Sequence, residues 1–245
     1  VESFINKKTF QEIDFVKREI ISLYMDDFRK IDSSGRISLI YQNIPSQLAL
    51  NKKRFVLSNA LNKRITTKDD QLLNDLLDSK TVLICHNVTN PSLSLSQTRS
   101  LNSYKLYLSD IGLFTTMLFN DSSKTNENIY NKLLSNKLDA NLGYLYENAV
   151  AQIIKSSNRE LYYHTWQKEN STHYYEIDFL FIKNGKVNPI EVKSGSNLNY
   201  LSLKEFCKKY SNIVGKRYLL SQKDFNHDEM IEIKPLYMTP FILKE

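Results

Sequence analysis

The sequence is poor in the residues that build disulfide frameworks and thiolate metal sites. Only two of its 245 residues are cysteines, Cys85 and Cys207, and they lie far apart without a CxxC pair. This spacing excludes a disulfide-stapled scaffold and argues against a thiolate zinc site. We therefore expect a protein of a reducing compartment, the cytoplasm.

Glycine is also scarce, and its positions exclude one class of nucleotide site. None of the six glycines stands in a GxGxxG or GxxxxGK[ST] pattern, so the chain has no recognisable phosphate-binding loop. We do not expect it to hydrolyse ATP unaided. Because the sequence begins with Val1 rather than Met, we expect a processed protein or a piece of a longer one.

Long apolar runs are absent as well. The longest, such as Phe179–Ile182, are far shorter than the roughly 20 residues that span a bilayer, and no signal peptide opens the chain. We therefore expect no membrane partner. With 41% apolar residues and abundant Tyr and Phe, the chain has enough core material for one or two globular domains.

The N-terminal half is predicted to be mainly helical. Apolar spacing predicts a helix over Phe10–Ile31 and another over Thr67–Ser79, where Thr67-Lys68-Asp69-Asp70 has the form of a capping box. Strands are predicted over Thr81–Val88 and Tyr104–Leu108. Helices followed by a long-looped strand pair are typical of a winged helix-turn-helix, which we place at residues 36–120.

The C-terminal half is predicted to be a mixed α/β (α+β) domain. A polar stretch at residues 120–128 marks the domain boundary. Beyond it, the patterns predict the order αβββαβ. The predicted elements are a helix near Leu142–Lys155, strands near Leu161–Trp166, His173–Ile182 and Val187–Lys193, a helix near Ser202–Tyr210, and a strand at Lys216–Leu220.

A hairpin in this half brings acidic residues together. Asn184-Gly185 between two β-rich runs predicts a two-residue type I′ turn, because both residues tolerate positive φ. The resulting register places Asp178 across from Glu191 and Glu176 across from Lys193, all on one face.

Two carboxylates at this distance repel each other unless a cation lies between them. Oxygen ligands favour Mg²⁺ or Mn²⁺, which would activate a water while Lys193 positions it or stabilises developing charge. The alternative is a salt-bridged hairpin in which Lys193 pairs with Glu176 and the other acids face water. Glu147 lies among apolar neighbours on the preceding helix, although it could equally be an exposed residue at the helix edge.

These residues carry a resemblance to a known family. Glu147 on a helix, Asp178 on a strand and Glu191-x-Lys193 resemble the PD-(D/E)XK nuclease superfamily, although Ile177 stands where that pattern has Pro. Three motifs resemble the C-terminal domain of unknown function attached to many prokaryotic AAA+ ATPases: Gly143-x-Leu145-x-Glu147-Asn148, Glu176-Ile177-Asp178-Phe179 and Pro189-Ile190-Glu191-Val192-Lys193-Ser194-Gly195. Upstream segments at 24–27, 44–48 and 104–113 resemble the lid and winged-helix region of such proteins.

The resemblance implies a restriction-endonuclease-like hydrolase that cleaves DNA with Mg²⁺ or Mn²⁺. It implies that Asp178 and Glu191 are metal ligands, Lys193 is the catalytic lysine and Glu147 is an accessory acid. The implied domains are a helical lid-like segment (1–35), the winged-helix-like domain (36–120) and the nuclease-like domain (121–245). ATP would bind only through an N-terminal ATPase core outside this chain, which would be its partner.

Charge patterning adds a candidate nucleic-acid surface. Between Lys183 and Arg217 there are eight Lys or Arg against two acids. We expect Lys204, Lys208 and Lys209 to follow a phosphate backbone, the alternative being a solvated helix face. The acidic helix from Thr67 would repel DNA, so we interpret the winged-helix-like region as packing or coupling machinery, with 52–54 as its one basic patch.

Three functions remain open from the sequence. The first is a Mg²⁺-dependent nuclease, and the second is a non-catalytic module that binds nucleic acid or protein and couples an ATPase to a partner. The third is a structural scaffold without a site. His164 and His173 are interpreted as ordinary polar residues, although either could contact a metal.

Overall fold

The computed structural model describes residues 10–50, 53–119, 143–195, 199–228 and 230–244. Within them lie eight α-helices and nine strands, which confirms the predicted mixed α/β class. The helices are α1 Phe10–Ile31, α2 Arg36–Ala49, α3 Leu57–Leu61, α4 Thr67–Asp78, α5 Ile111–Leu118, α6 Gly143–Ser156, α7 Leu201–Lys209 and α8 Thr239–Lys244. The strands are β1 Val82–Val88, β2 Arg99–Leu108, β3 Leu161–Gln167, β4 Tyr174–Ile177, β5 Phe179–Lys183, β6 Lys186–Val192, β7 Arg217–Ser221, β8 Asn226–Asp228 and β9 Ile231–Pro235. The predicted boundary at 120–128 lies outside the described residues.

The chain divides into two compact units that are not continuous in sequence. The first comprises residues 1–50, 56–82 and 108–140, and the second comprises 51–55, 83–107 and 141–245. Helices dominate the described part of the first unit, and the second holds both sheets. No helix in the described ranges combines the length and apolar character that crossing a bilayer requires.

In the first unit, α1 has the predicted bounds and packs through its buried face. The rings of Phe28 and Tyr41 lie 5.4 Å apart, and Tyr41 is almost fully buried. The capping box of α4 is shifted by one residue from the prediction, since Thr66 is the N-cap and Asp69 is its acidic partner. Asp69 accepts hydrogen bonds from the Thr66 amide (2.9 Å) and hydroxyl (2.7 Å).

In the second unit, β1 and β2 are part of a sheet with strands from the C-terminal half. The strand order is β2-β1-β3-β4, with β1 parallel to β3 and Cys85 opposite Leu161. These strands therefore group differently from the predicted winged-helix-like domain at 36–120. The reason is physical: the open edge of a strand as buried as β1 needs partners for its backbone N–H and C=O groups, and β3 supplies them.

The second sheet has the order β5-β6-β7-β9-β8 and contains the predicted hairpin. Asn184 and Gly185 have φ values of 52° and 66°, as a type I′ turn requires. Phe179 lies opposite Ile190 and Lys183 opposite Lys186, which confirms the predicted register within β5 and β6. Helix α7 covers this region with buried residues Leu203 and Phe206.

The hairpin register does not extend to Glu176. The predicted long strand is broken at Asp178, and its first part, β4, pairs with β3 so that Glu176 lies opposite Thr165. The prediction of Glu176 across from Lys193 was therefore wrong. A strand that changes partners cannot be recognised from alternation alone, because both halves keep the same apolar pattern.

Candidate functional site

Asp178 lies at the break between β4 and β5, where the chain passes from one sheet to the other. Its carboxylate is buried, and Oδ2 accepts a hydrogen bond of 2.7 Å from the backbone amide of Val192. That amide belongs to the end of β6, directly after Glu191. The bond therefore fixes the Asp178 carboxylate at the end of β6, where Glu191 also lies.

Glu191 has one paired and one unpaired carboxylate oxygen. Oε1 accepts a hydrogen bond of 2.6 Å from Nζ of Lys193, while Oε2 is buried and accepts none from any described residue. A buried oxygen without a donor is costly, because it has lost its water. The Glu191 side chain is 5% exposed, so the unpaired oxygen is available only inside the site.

The electrostatics of the site follow from burial and repeated negative charge. Burial, and then the charges of Glu191 and Glu147, raise the pKa of Asp178 well above its ordinary value. Burial also raises the pKa of Glu191, although Lys193 opposes the shift. Burial alone would lower the pKa of Lys193. The negative charges of Glu191 and Asp178 outweigh burial and raise that pKa. The site therefore favours an additional positive charge, whether a proton or a cation.

A second ionic cluster adjoins these residues and was not predicted from the sequence. Nζ of Lys105 lies 3.2 Å from Oε2 of Glu147 and 2.6 Å from Oε1 of Glu176. Tyr107 donates a hydrogen bond of 3.2 Å to the same oxygen of Glu147, and Lys53 lies 3.0 Å from Oε2 of Glu176. One signal was present in the sequence, since Lys105 is the one charged residue in the apolar run Tyr104–Leu108.

Glu147 is therefore not an exposed residue of the helix edge. Its side chain is 17% exposed and is held by Lys105 and Tyr107. Its charge contributes to the raised pKa of both Asp178 and Glu191, so it is electrostatically coupled to them. Glu176 differs, because Lys105 and Lys53 outweigh the effect of burial and lower its pKa.

The acids of the site fit a divalent cation that takes few protein ligands. The described ranges contain no group of three or more His, Cys, Asp or Glu side chains arranged to hold a metal. Mg²⁺, however, is commonly bound by one or two carboxylates, with waters and substrate phosphates completing its coordination. Asp178 and Glu191, with the unpaired Oε2 of Glu191, fit that smaller ligand set.

The predicted nucleic-acid lysines lie on α7. Lys208 and Lys209 are exposed, while Nζ of Lys204 lies 5.1 Å from the ring centre of Tyr200. Nζ of Lys209 lies 5.8 Å from the ring centre of Trp166.

The two histidines occupy different environments. His164 is buried, its Nδ1 lies 2.6 Å from the Val88 carbonyl and its Nε2 lies 3.1 Å from the Tyr210 hydroxyl. These contacts make it a satisfied core residue. His173 is exposed just before β4.

Two family models match separate regions of the chain. A family model described as domain of unknown function DUF8612 matches residues 1–124, half of the chain, and the chain belongs to that family. A second model, domain of unknown function DUF4143, matches residues 142–238. The second match agrees with the expected C-terminal domain of unknown function, since DUF4143 is typical of ATPase-associated C-terminal regions.

Similarity to individual proteins is low. No curated protein matches the sequence. The crystal structure of protein VC1899 from Vibrio cholerae matches at 13% identity over 94% of this chain, with a TM-score of 0.29. The chain spans 54% of the length of that structure.

Proposed function

We propose that the second unit is a metal-dependent phosphodiesterase of the PD-(D/E)XK type. The observation that supports this most is the convergence of two buried carboxylates, Asp178 and Glu191, with Lys193 hydrogen-bonded to Glu191. The unpaired Oε2 of Glu191 and the Asp178 carboxylate would hold one Mg²⁺ or Mn²⁺. When bound, such an ion supplies a polarised water and neutralises charge on a phosphoryl oxygen.

Each residue of the site has a distinct part in this proposal. Asp178 is oriented by the Val192 amide, so its remaining oxygen can face a cation. Lys193 orients one oxygen of Glu191 and offers its ammonium to the negative charge that develops on a phosphodiester. Glu147 adds negative charge without being a ligand, because Lys105 and Tyr107 already hold it.

We further propose DNA as the substrate and an AAA+ ATPase as the larger protein to which this chain belongs. The basic helix α7, with Lys204, Lys208 and Lys209, supports a polyanionic substrate. The match to DUF4143 supports the ATPase context.

A cleavage assay tests the activity. Purified protein is incubated with single- and double-stranded DNA and RNA in Mg²⁺, Mn²⁺ or EDTA. We expect cleavage that needs the metal and is lost in Asp178→Asn. Glu232→Gln is the control, because it removes a carboxylate on β9 of the same unit that pairs with Lys234 and lies outside the candidate site. Cleavage by Asp178→Asn at the wild-type rate would contradict the proposal.

A non-catalytic binding module is the second candidate, and one observation favours it. Three acids of the two clusters, Glu147, Glu176 and Glu191, are each paired with a lysine of the same chain. A site balanced in this way can be stable without a metal. This candidate predicts salt-dependent binding of nucleic acid that survives in Asp178→Asn, with no cleavage by wild type.

A further inference from the structure

Lys105 lies where its charge acts on both neighbouring acids. It is a strand residue with 5% of its side chain exposed, and its ammonium touches carboxylate oxygens of Glu147 and Glu176 at once. An ammonium shared by two carboxylates takes the position that a bound cation would take between them. Burial alone would suppress its charge, but the two acids outweigh burial and raise its pKa.

Lys105 also joins the two family regions of the chain. It lies at a position matched by DUF8612, whereas Glu147 and Glu176 lie in the region matched by DUF4143. Tyr107, two residues further on, adds a hydrogen bond to the same Glu147 oxygen that Lys105 contacts. Glu147 and Glu176 of the DUF4143 region are therefore held by side chains from outside that region.

We propose that Lys105 is a positioning residue of the candidate site, whose ammonium holds Glu147 beside Asp178 and Glu191 and occupies the place of a second divalent cation. This inference rests on the proposed function and makes it more specific: the site takes one metal ion, at Asp178 and Glu191. Glu147 is a lysine-held acid in this arrangement. Nuclease-like activity would accordingly require the 83–107 segment as well as the DUF4143 region.

Replacing Lys105 provides a readout that does not need a substrate. Lys105→Gln leaves Glu147 and Glu176 without their shared cation, so we expect a lower melting temperature in EDTA. We expect Mn²⁺ to bind in the place of the ammonium and to raise the melting temperature by about 5 °C more than in wild type, at a concentration well above its Kd. If Lys105→Gln does not fold in EDTA, refolding from urea with and without Mn²⁺ gives the same comparison.

Two further variants separate positioning from general stabilisation. Lys105→Arg keeps the positive charge, so Mn²⁺ should raise its melting temperature no more than it raises that of wild type. Lys234→Gln is the matched control, because Lys234 is 12% exposed, pairs with Glu232 at 3.0 Å and lies on β9. It should respond to Mn²⁺ like wild type.

The outcomes distinguish this inference from the proposed function. A gain of Mn²⁺ response in Lys105→Gln that disappears in Lys105→Gln/Glu147→Gln supports the role of Lys105, even if wild type cuts no nucleic acid. An equal Mn²⁺ response in wild type, Lys105→Gln and Lys234→Gln overturns it, even if wild type is an active nuclease.

Discussion

The carboxylate of Asp178 is anchored by the amide of Val192, at 2.7 Å, across the point where the chain passes from one sheet to the other. Glu191 is the neighbour of Val192, so this bond holds the Asp178 carboxylate at the end of β6 that carries Glu191. Both carboxylates are buried and their charges repel, which destabilises the fold unless a cation is present. The arrangement is therefore costly to the fold and consistent with a site retained for function.

The first prediction is that the Asp178 carboxylate destabilises the metal-free protein. Asp178→Asn removes one of two repelling charges and keeps an oxygen that can accept from the Val192 amide. We expect its free energy of unfolding, measured with urea at pH 7.5 in EDTA, to exceed that of wild type by about 1 kcal/mol. Excess Mg²⁺ should narrow the difference, because it stabilises wild type alone. A variant that is less stable than wild type in EDTA would contradict this account of the site.

A second prediction concerns the pH dependence of stability through His164. Burial lowers the pKa of His164 to about 4, against an ordinary value near 6.5. Below pH 6.5 the unfolded chain therefore binds a proton that the folded chain excludes. The stability that neutral His164 confers is complete above pH 6.5 and is lost as the pH falls toward 4, by about 2 kcal/mol at pH 5.

The measurement compares urea unfolding of wild type and His164→Gln at pH 7 and pH 5. We expect the loss between the two pH values to be smaller in the variant, because glutamine does not titrate. His173→Gln, at an exposed position, should lose as much as wild type. Equal losses in all three proteins would show that His164 does not carry the effect.

Asp69 is the subject of the third prediction, in the helical unit. Hydrogen bonds from Lys63 and Thr66 hold the pKa of Asp69 well below its usual range. Arg36 adds a further contact of 2.9 Å from α2. We expect Asp69→Asn to lower the melting temperature by several degrees, because it removes a charge on which two cations and the helix cap converge.

Asp70→Asn provides the control for this change. Asp70 is exposed and lies in the same first turn of α4, so its replacement should alter the melting temperature far less. Equal melting temperatures for the two variants, measured by circular dichroism, would refute the role given to Asp69.

Local features of the fold were predictable from the sequence because they depend on neighbouring residues. The bounds of α1 follow from apolar spacing, and the β5–β6 register follows from the positive φ of Asn184 and Gly185. These signals come from residues close together in the sequence, so they can be read without knowing which distant segments pack against them.

Long-range pairings could not be predicted in the same way. Nothing near Cys85 indicates that β1 will lie parallel to β3, 76 residues further on at the paired Leu161. For the same reason, the partners of Lys105 were missed, since Glu147 and Glu176 are 42 and 71 residues away in sequence. The break at Asp178 was also missed, because a strand that changes sheets keeps its alternation.

The most direct test of the central claim is Mn²⁺ binding at the carboxylate pair, measured by the loss of the free-ion EPR signal. The account predicts that wild type and Glu232→Gln each bind one Mn²⁺, and that Glu191→Gln and Asp178→Asn do not bind at that site. Equal binding by all four proteins, or by none of them, would contradict the claim that Asp178 and Glu191 form a divalent-cation site.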